Sequence, residues 1–222
     1  MKKLVSTIVA TLFASAISVF AALPQVWDFG AEQFPAEQYE NMLSEATING
    51  AFTAEAGSTG QTISNLDFGE ANFVFNGGGK NNHRLRTTNT NLTRYDVKSL
   101  TSTIGVKGCT GYIYSNASGN VDVFAQQTYS INDKVEFYVS SNGGNATYVL
   151  ESLSSKKEEQ LYESANKLQI LTFYIKEDGA HKLYCTDEKL CLGRVIRTPA
   201  DYVNVSGAVT APASIPADYK LR

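Results

Sequence analysis

Lys134 to Ser140 read KVEFYVS, and the order of apolar and polar residues over these positions decides the fold class. In an extended chain Val135, Phe137 and Val139 fall on one face and the residues between them on the other, the period-2 pattern of a strand with one side in a core. The same alternation recurs in both directions along the sequence. Phe73 and Phe75 share a face in ANFVFN, and Val121, Val123 and Ala125 do so in VDVFAQ. In QVWDFG, Trp27 and Phe29 lie on one face, with Val26 and Asp28 on the other. The core is the commoner place for a lone tryptophan in a first strand, with a sugar-stacking ring as the alternative.

Further strands are expected at Leu100 to Val106, Gly111 to Ser115, Thr147 to Glu151, Leu168 to Ile175, His181 to Tyr184 and Leu190 to Ile196. Gly, Asn and Ser separate them, and Asp178-Gly179 signals a hairpin between two of them. Pro35 opens PAEQYENMLSEA, where a first-turn proline followed by good helix formers predicts one short helix. Ser152 to Asn166 also contain helix formers, but their apolar residues are too few for a helical stripe. That stretch reads as a polar connection with a brief strand near Leu161 and Tyr162. The fold expected is all-β, an antiparallel jelly-roll-like β-sandwich with one short helix near the N-terminus.

Lys2 and Lys3 precede an apolar run from Leu4 to Phe20 that ends in small residues, the pattern of a secretory leader cleaved after Ala21. The domain plan is then a signal peptide over 1–21, a β-sandwich over 22–203, and a linker with the start of a further unit over 204–222. Localisation follows as secreted or cell surface. Loss of the two leader lysines takes the formal charge from −3 to −5. An acidic exported chain is unsuited to nonspecific nucleic-acid binding, and it has no later apolar run long enough to span a membrane. Cys185 and Cys191 flank a short turn that could bring them into a bridge, with buried free thiols as the alternative.

Against this acidic background, Phe75 to Asp96 read FNGGGKNNHRLRTTNTNLTRYD. From Lys80 to Lys98 five Lys or Arg stand against the single Asp96, a local charge of +4. On a strand, Arg84 and Arg86 share a face with Leu85 opposite, presenting paired guanidinium groups that match carboxylates. The residues expected to meet a ligand are Lys80, His83, Arg84, Arg86 and Arg94, with Tyr112 and Tyr114 of TGYIYS as a stacking platform that Tyr138 could extend. The opposing possibility is that Arg84 and Arg86 pair with acidic neighbours on the adjacent strand.

Catalytic patterns are weak. Gly77-Gly78-Gly79-Lys80 lacks the spacing and the following Ser or Thr of a phosphate loop, G-x-S-x-G does not occur, and the acidic residues fall mostly in turns. The chain is therefore expected not to be an enzyme. No cofactor is expected, although structural calcium could be held by loop oxygens, with Asp28, Glu32 and Asp96 as candidate ligands.

Several segments carry a resemblance: VWDFGAEQF with YENML, NNHRLRTTNTNLTRYD, KVEFYVSSNG, TYVLES, HKLYC and LCLGRVIRTP. Through them the chain resembles the non-catalytic β-sandwich modules near the N-terminus of secreted bacterial pectate-lyase-like and other plant-polysaccharide-degrading proteins. The tail VNVSGAVTAPASIPADYKLR is similar to the opening of an Ig-like or prealbumin-like domain. The resemblance implies a carbohydrate-binding-type jelly roll, a plant cell-wall polysaccharide such as pectin or polygalacturonate as partner, and a catalytic domain beyond Arg222 in the same full-length chain. It carries over no ligand-contacting positions. The alternative function is a structural or adhesive domain of a cell-surface protein.

Overall fold

Trp27, Phe29, Phe73, Phe75, Phe137 and Phe173 are all buried in one cluster, and each comes from a segment whose apolar residues alternate with polar ones. Burying such side chains contributes about 2–3 kcal/mol apiece, which is what draws two sheets together face to face. The computed structural model describes residues 22–51, 65–77, 84–92, 105–115, 117–140, 144–163 and 169–203. The expected leader, the tail from 204, the turn expected at 78–79 and the strand expected at 100–104 lie outside the described residues.

The strands in chain order are β1 (Gln25–Asp28), β2 (Glu40–Asn41), β3 (Asn65–Asp67), β4 (Val74–Gly77), β5 (Arg84–Thr87), β6 (Gly111–Tyr114) and β7 (Val123–Tyr129). They continue with β8 (Lys134–Ser140), β9 (Ala146–Ser152), β10 (Glu158–Glu163), β11 (Gln169–Tyr174), β12 (Gly179–Cys185) and β13 (Cys191–Thr198). One sheet runs β11-β8-β13-β1-β2, with β6 and then β5 branching from β13, and the other runs β10-β9-β12-β7-β4-β3. The expected sandwich is present, and all the pairings are antiparallel except that of β1 with β2.

The single α-helix among the described residues, α1 (Glu45–Ala51), begins about ten residues later than the sequence predicts. Pro35 starts only a turn, its carbonyl accepting from Gln38 and Tyr39 N–H. Asn41 then bonds Phe34 N–H and carbonyl at 2.8 and 2.7 Å, which commits Glu40 and Asn41 to β2. Ser44 supplies the start signal instead: its hydroxyl accepts Thr47 N–H at 3.1 Å, and Ile48 anchors the helix in the core.

Asp178-Gly179 does not make a hairpin. β11 and β12 lie in different sheets, and the turn between them arches across the sandwich edge. Asp178 accepts Ile131 N–H at 2.7 Å, tying the arch to the β7–β8 turn. Glu177 is held by hydroxyls of the β9–β10 turn, from Ser152, from Ser154 at 3.1 Å and from Ser155 at 2.6 Å. The stretch from Ser152 onward turns and then forms β10, longer than the brief strand expected there.

β13 serves two partners along one edge. Cys191 and Leu192 pair with β6, and Arg194 to Arg197 pair with β1, with a bulge between Leu192 and Arg194. The bulge brings Arg194 onto the outer face beside Tyr138. Gly193 is required there because a Cβ would stand 2.8 Å from Cys109 Sγ and from Val106 Cβ. Where β1 gives way to β6 the backbones nearly touch, and a Cβ on Gly111 would lie 2.5 Å from the Phe29 carbonyl oxygen.

Arg194 is buried with Asp28, Nε to Oδ2 at 2.7 Å, and its Nη2 reaches Glu32 at 2.9 Å and the Gly108 carbonyl at 3.5 Å. Asp28 Oδ1 also accepts Gly30 and Glu32 N–H. Two of the candidate calcium ligands, Asp28 and Glu32, are therefore engaged with an arginine; Asp96 lies outside the described residues. Cys185 packs in the main core and Cys191 in a separate cluster on the outer face, so the bridge weighed between them does not form and all three cysteines are free thiols. Burial pushes Cys109 up to about 12 and Cys185 to about 11, which keeps both protonated.

Two outcomes follow from these contacts. Asp28→Asn removes the buried carboxylate and leaves Arg194 only the half-exposed Glu32, and it is expected to lower stability by about 3 kcal/mol in urea unfolding. The hydroxyls of Ser152 and Ser155 draw the Glu177 carboxyl from its ordinary 4.5 down to about 2. A lowered folded-state value contributes stability that is present above 4.5 and is lost as pH falls toward 2. Glu177→Gln should therefore lower the urea midpoint at neutral pH, and its difference from the parent should shrink across that acid range.

Candidate functional site

β5 pairs with β6 in the register Arg84 to Tyr114, Leu85 to Ile113, and Arg86 to Tyr112. Leu85 and Ile113 point into the main core, so Arg86 stands on the outer face, as the alternation predicts. The Arg86 guanidinium carbon lies 5.3 Å from the Tyr114 ring centroid, a cation–π distance, and Arg86 also hydrogen-bonds the Tyr112 hydroxyl. Among the described residues no carboxylate is paired with Arg86, and the residues opposite it in register are tyrosines rather than acids. Its Nε is buried without a hydrogen-bond partner.

The tyrosine platform is overturned. Tyr112 and Tyr114 are 1% and 2% exposed, packed with Val106, Cys109 and Cys191 in a second cluster that sits on the outer face of the sheet. The segment 105–110 lies across that face and covers the rings. Burial raises the Tyr112 phenol to about 12. The two tyrosines thus form the bed beneath Arg86 rather than a surface for sugar. Alternation alone gave their shared face correctly, but it could not show that a loop from the preceding segment covers it.

The amides and hydroxyls around the arginines are spent on structure. Asn89 Nδ2 donates to the Gly30 carbonyl at 2.9 Å and to Glu45 at 3.1 Å, and Asn91 Nδ2 donates to the same carboxylate at 3.1 Å. Thr87 and Thr88 hydroxyls donate to the Thr110 carbonyl, and Leu92 is buried in the core. Lys80, His83 and Arg94, and the side chain of Arg84, lie outside the described residues.

Tyr138 stands half-buried at the rim of the second cluster. The Arg194 guanidinium lies between the rings of Phe34, at 4.6 Å, and Tyr138, at 5.2 Å. Beyond Tyr138 the same outer face continues onto the edge strand β11, where Ile170 stands opposite Tyr138 and Tyr174 opposite Lys134. Ile170 is 45% and Tyr174 62% exposed. Tyr174 is the exposed aromatic that the search for a platform missed. The alternation in QILTFY, with Leu171 and Phe173 turned inward, carries the signal that would have found it.

No protein-family model matches the sequence, and no curated protein matches it. Among solved structures, the chain has a low similarity to a family 115 4-O-methyl-α-glucuronidase with specificity for decorated arabinogalactans, at 10% identity and TM-score 0.30 over 40% of this chain and 14% of that one. A family 35 carbohydrate-binding module from Paenibacillus barcinonensis matches at 16% identity and TM-score 0.30, over 43% of this chain and 82% of that one. A family 32 carbohydrate-binding module of a family 31 glycoside hydrolase from Clostridium perfringens matches at 14% identity and TM-score 0.31, over 47% and 87%. The chain spans well under two thirds of the glucuronidase. Each alignment takes in less than half of this chain, and at these scores none bears on ligand or activity.

Proposed function

We propose that this chain is an exported, non-catalytic carbohydrate-binding module that holds a parent enzyme against plant cell-wall polysaccharide, with pectin or polygalacturonate as the ligand. One observation carries the reading: Arg86, fixed over Tyr114 on the outer face, has no protein carboxylate paired with it among the described residues. A guanidinium held in this way is arranged for an external carboxylate, and a uronic-acid polymer presents such groups in series. Lys80, His83 and Arg94 complete the basic window in the sequence. Anchoring raises the effective concentration of a linked catalytic domain on its substrate.

The burial of Tyr112 and Tyr114 favours a second reading, a structural or adhesive domain, because it removes the stacking surface that a sugar ring would use. Affinity electrophoresis separates the two. The carbohydrate-binding reading expects retardation in polygalacturonate gels and not in neutral glucan gels, weakening with added salt. Arg86→Ala should weaken it about tenfold, the value of one charge-assisted hydrogen bond of about 1.5 kcal/mol. Free migration of the unmutated protein in both gels would leave the structural reading standing.

A further inference from the structure

The outer edge of the sandwich holds a cleft to which Arg86 does not contribute. It opens between the β9–β10 turn of one sheet and the end of β11 in the other, with a volume of about 130 Å³. That is room for about four water molecules at roughly 30 Å³ each, the scale of one sugar ring rather than of a chain. Leu150 and Ile175 supply a buried apolar lining, and Tyr174 stands at the rim with most of its ring in solvent.

The polar groups around this lining are fixed before any ligand arrives. Hydroxyls of Ser152, Ser154 and Ser155 all converge on Glu177 Oε1, and Oε2 has no protein donor among the described residues. Lys176 and Glu159 form an ion pair at 2.6 Å on the same wall. His181 also lines the cleft; its Nδ1 lies 3.0 Å from the Gly179 carbonyl, which can only accept, so Nδ1 is the donor in that contact. Apolar lining, exposed aromatic edge and preset acceptors together match a pyranose, whose C–H face is apolar and whose rim is a ring of hydroxyls.

Charge selects among sugars. Glu158, Glu159 and Glu177 outnumber Lys157 and Lys176 around the cleft, so a uronate would meet repulsion here. β11 lies four strand spacings, about 19 Å, from β5 across the shared sheet, so the two surfaces are separate in space as well as in sign. We propose that this cleft binds a single neutral pyranose unit, stacked on Tyr174 and hydrogen-bonded through its hydroxyls to Glu177 and to the Glu159–Lys176 pair. The assignment does not depend on the Arg86 face.

The test is a titration of the ¹⁵N-labelled mature chain with the methyl β-glycosides of glucose, galactose and xylose, followed by amide shifts. At least one probe should give saturable shifts confined to residues 150–159 and 174–181, with a Kd on the order of millimolar. Tyr174→Ala, at an exposed position, and Glu177→Gln, which keeps an oxygen acceptor for the serines, should each weaken that binding about tenfold, the value of about 1.4 kcal/mol. Retardation on polygalacturonate should be the same for both variants as for the parent. No saturable shift with any of the three probes, or binding that survives Tyr174→Ala unchanged, overturns the cleft assignment. Loss of polygalacturonate retardation in the parent protein, with the glycoside shifts intact, would sink the Arg86 reading alone.

Discussion

The buried contact between Arg194 and Asp28 holds together parts of the chain that no single sheet pairing connects. One guanidinium reaches β1 through Asp28, the segment after it through Glu32, and the covering segment through the Gly108 carbonyl. Phe34 and Tyr138 enclose it from two sides. Taking an arginine and a carboxylate out of water costs several kcal/mol per ion, and only a fully bonded arrangement offsets that. The geometry is possible because the bulge at Gly193 sets Arg194 on the outer face beside Asp28. A flush strand would have turned one of them inward.

That contact also decides which cations remain for a ligand. Arg197 is engaged with Asp133 at 2.6 Å and with Gln25, and Lys182 with Glu151 at 2.9 Å. Arg86 stands apart, since its neighbours across the strand pair are phenols. Aromatic rings beneath a guanidinium restrict its position without neutralising its charge, whereas a carboxylate would do both. The buried tyrosines, which first looked like a sugar platform, thus have a different use as a support.

How much of this was legible in the sequence depends on the range of the interaction. Strand faces are set by alternation between near neighbours, so the inward placement of Val135, Phe137, Val139, Phe73, Phe75 and Leu85 could be read directly. The helix was displaced because Asn41 side-chain bonds to Phe34 and the Ser44 cap outweigh intrinsic propensity. The Asp178-Gly179 turn has hairpin chemistry, yet the apolar faces of β11 and β12 belong to opposite sheets, and that pairing is a property of the whole chain. Coverage of Tyr112 and Tyr114 was invisible because it rests on how the 105–110 segment folds back over the sheet and on the pairing of β6 with β13, which brings Cys191 to the same cluster.

The three cysteines divide between the two buried regions, Cys185 in the main core, and Cys109 in the covering segment with Cys191 beneath it. A thiol reagent can attack any of them only after the surrounding side chains part, so labelling rates measure opening rather than reactivity. Because the cover is a single loop over one face while the core joins both sheets, the chain carries natural clocks for two separate events: the lifting of a local flap, and the parting of the whole sandwich.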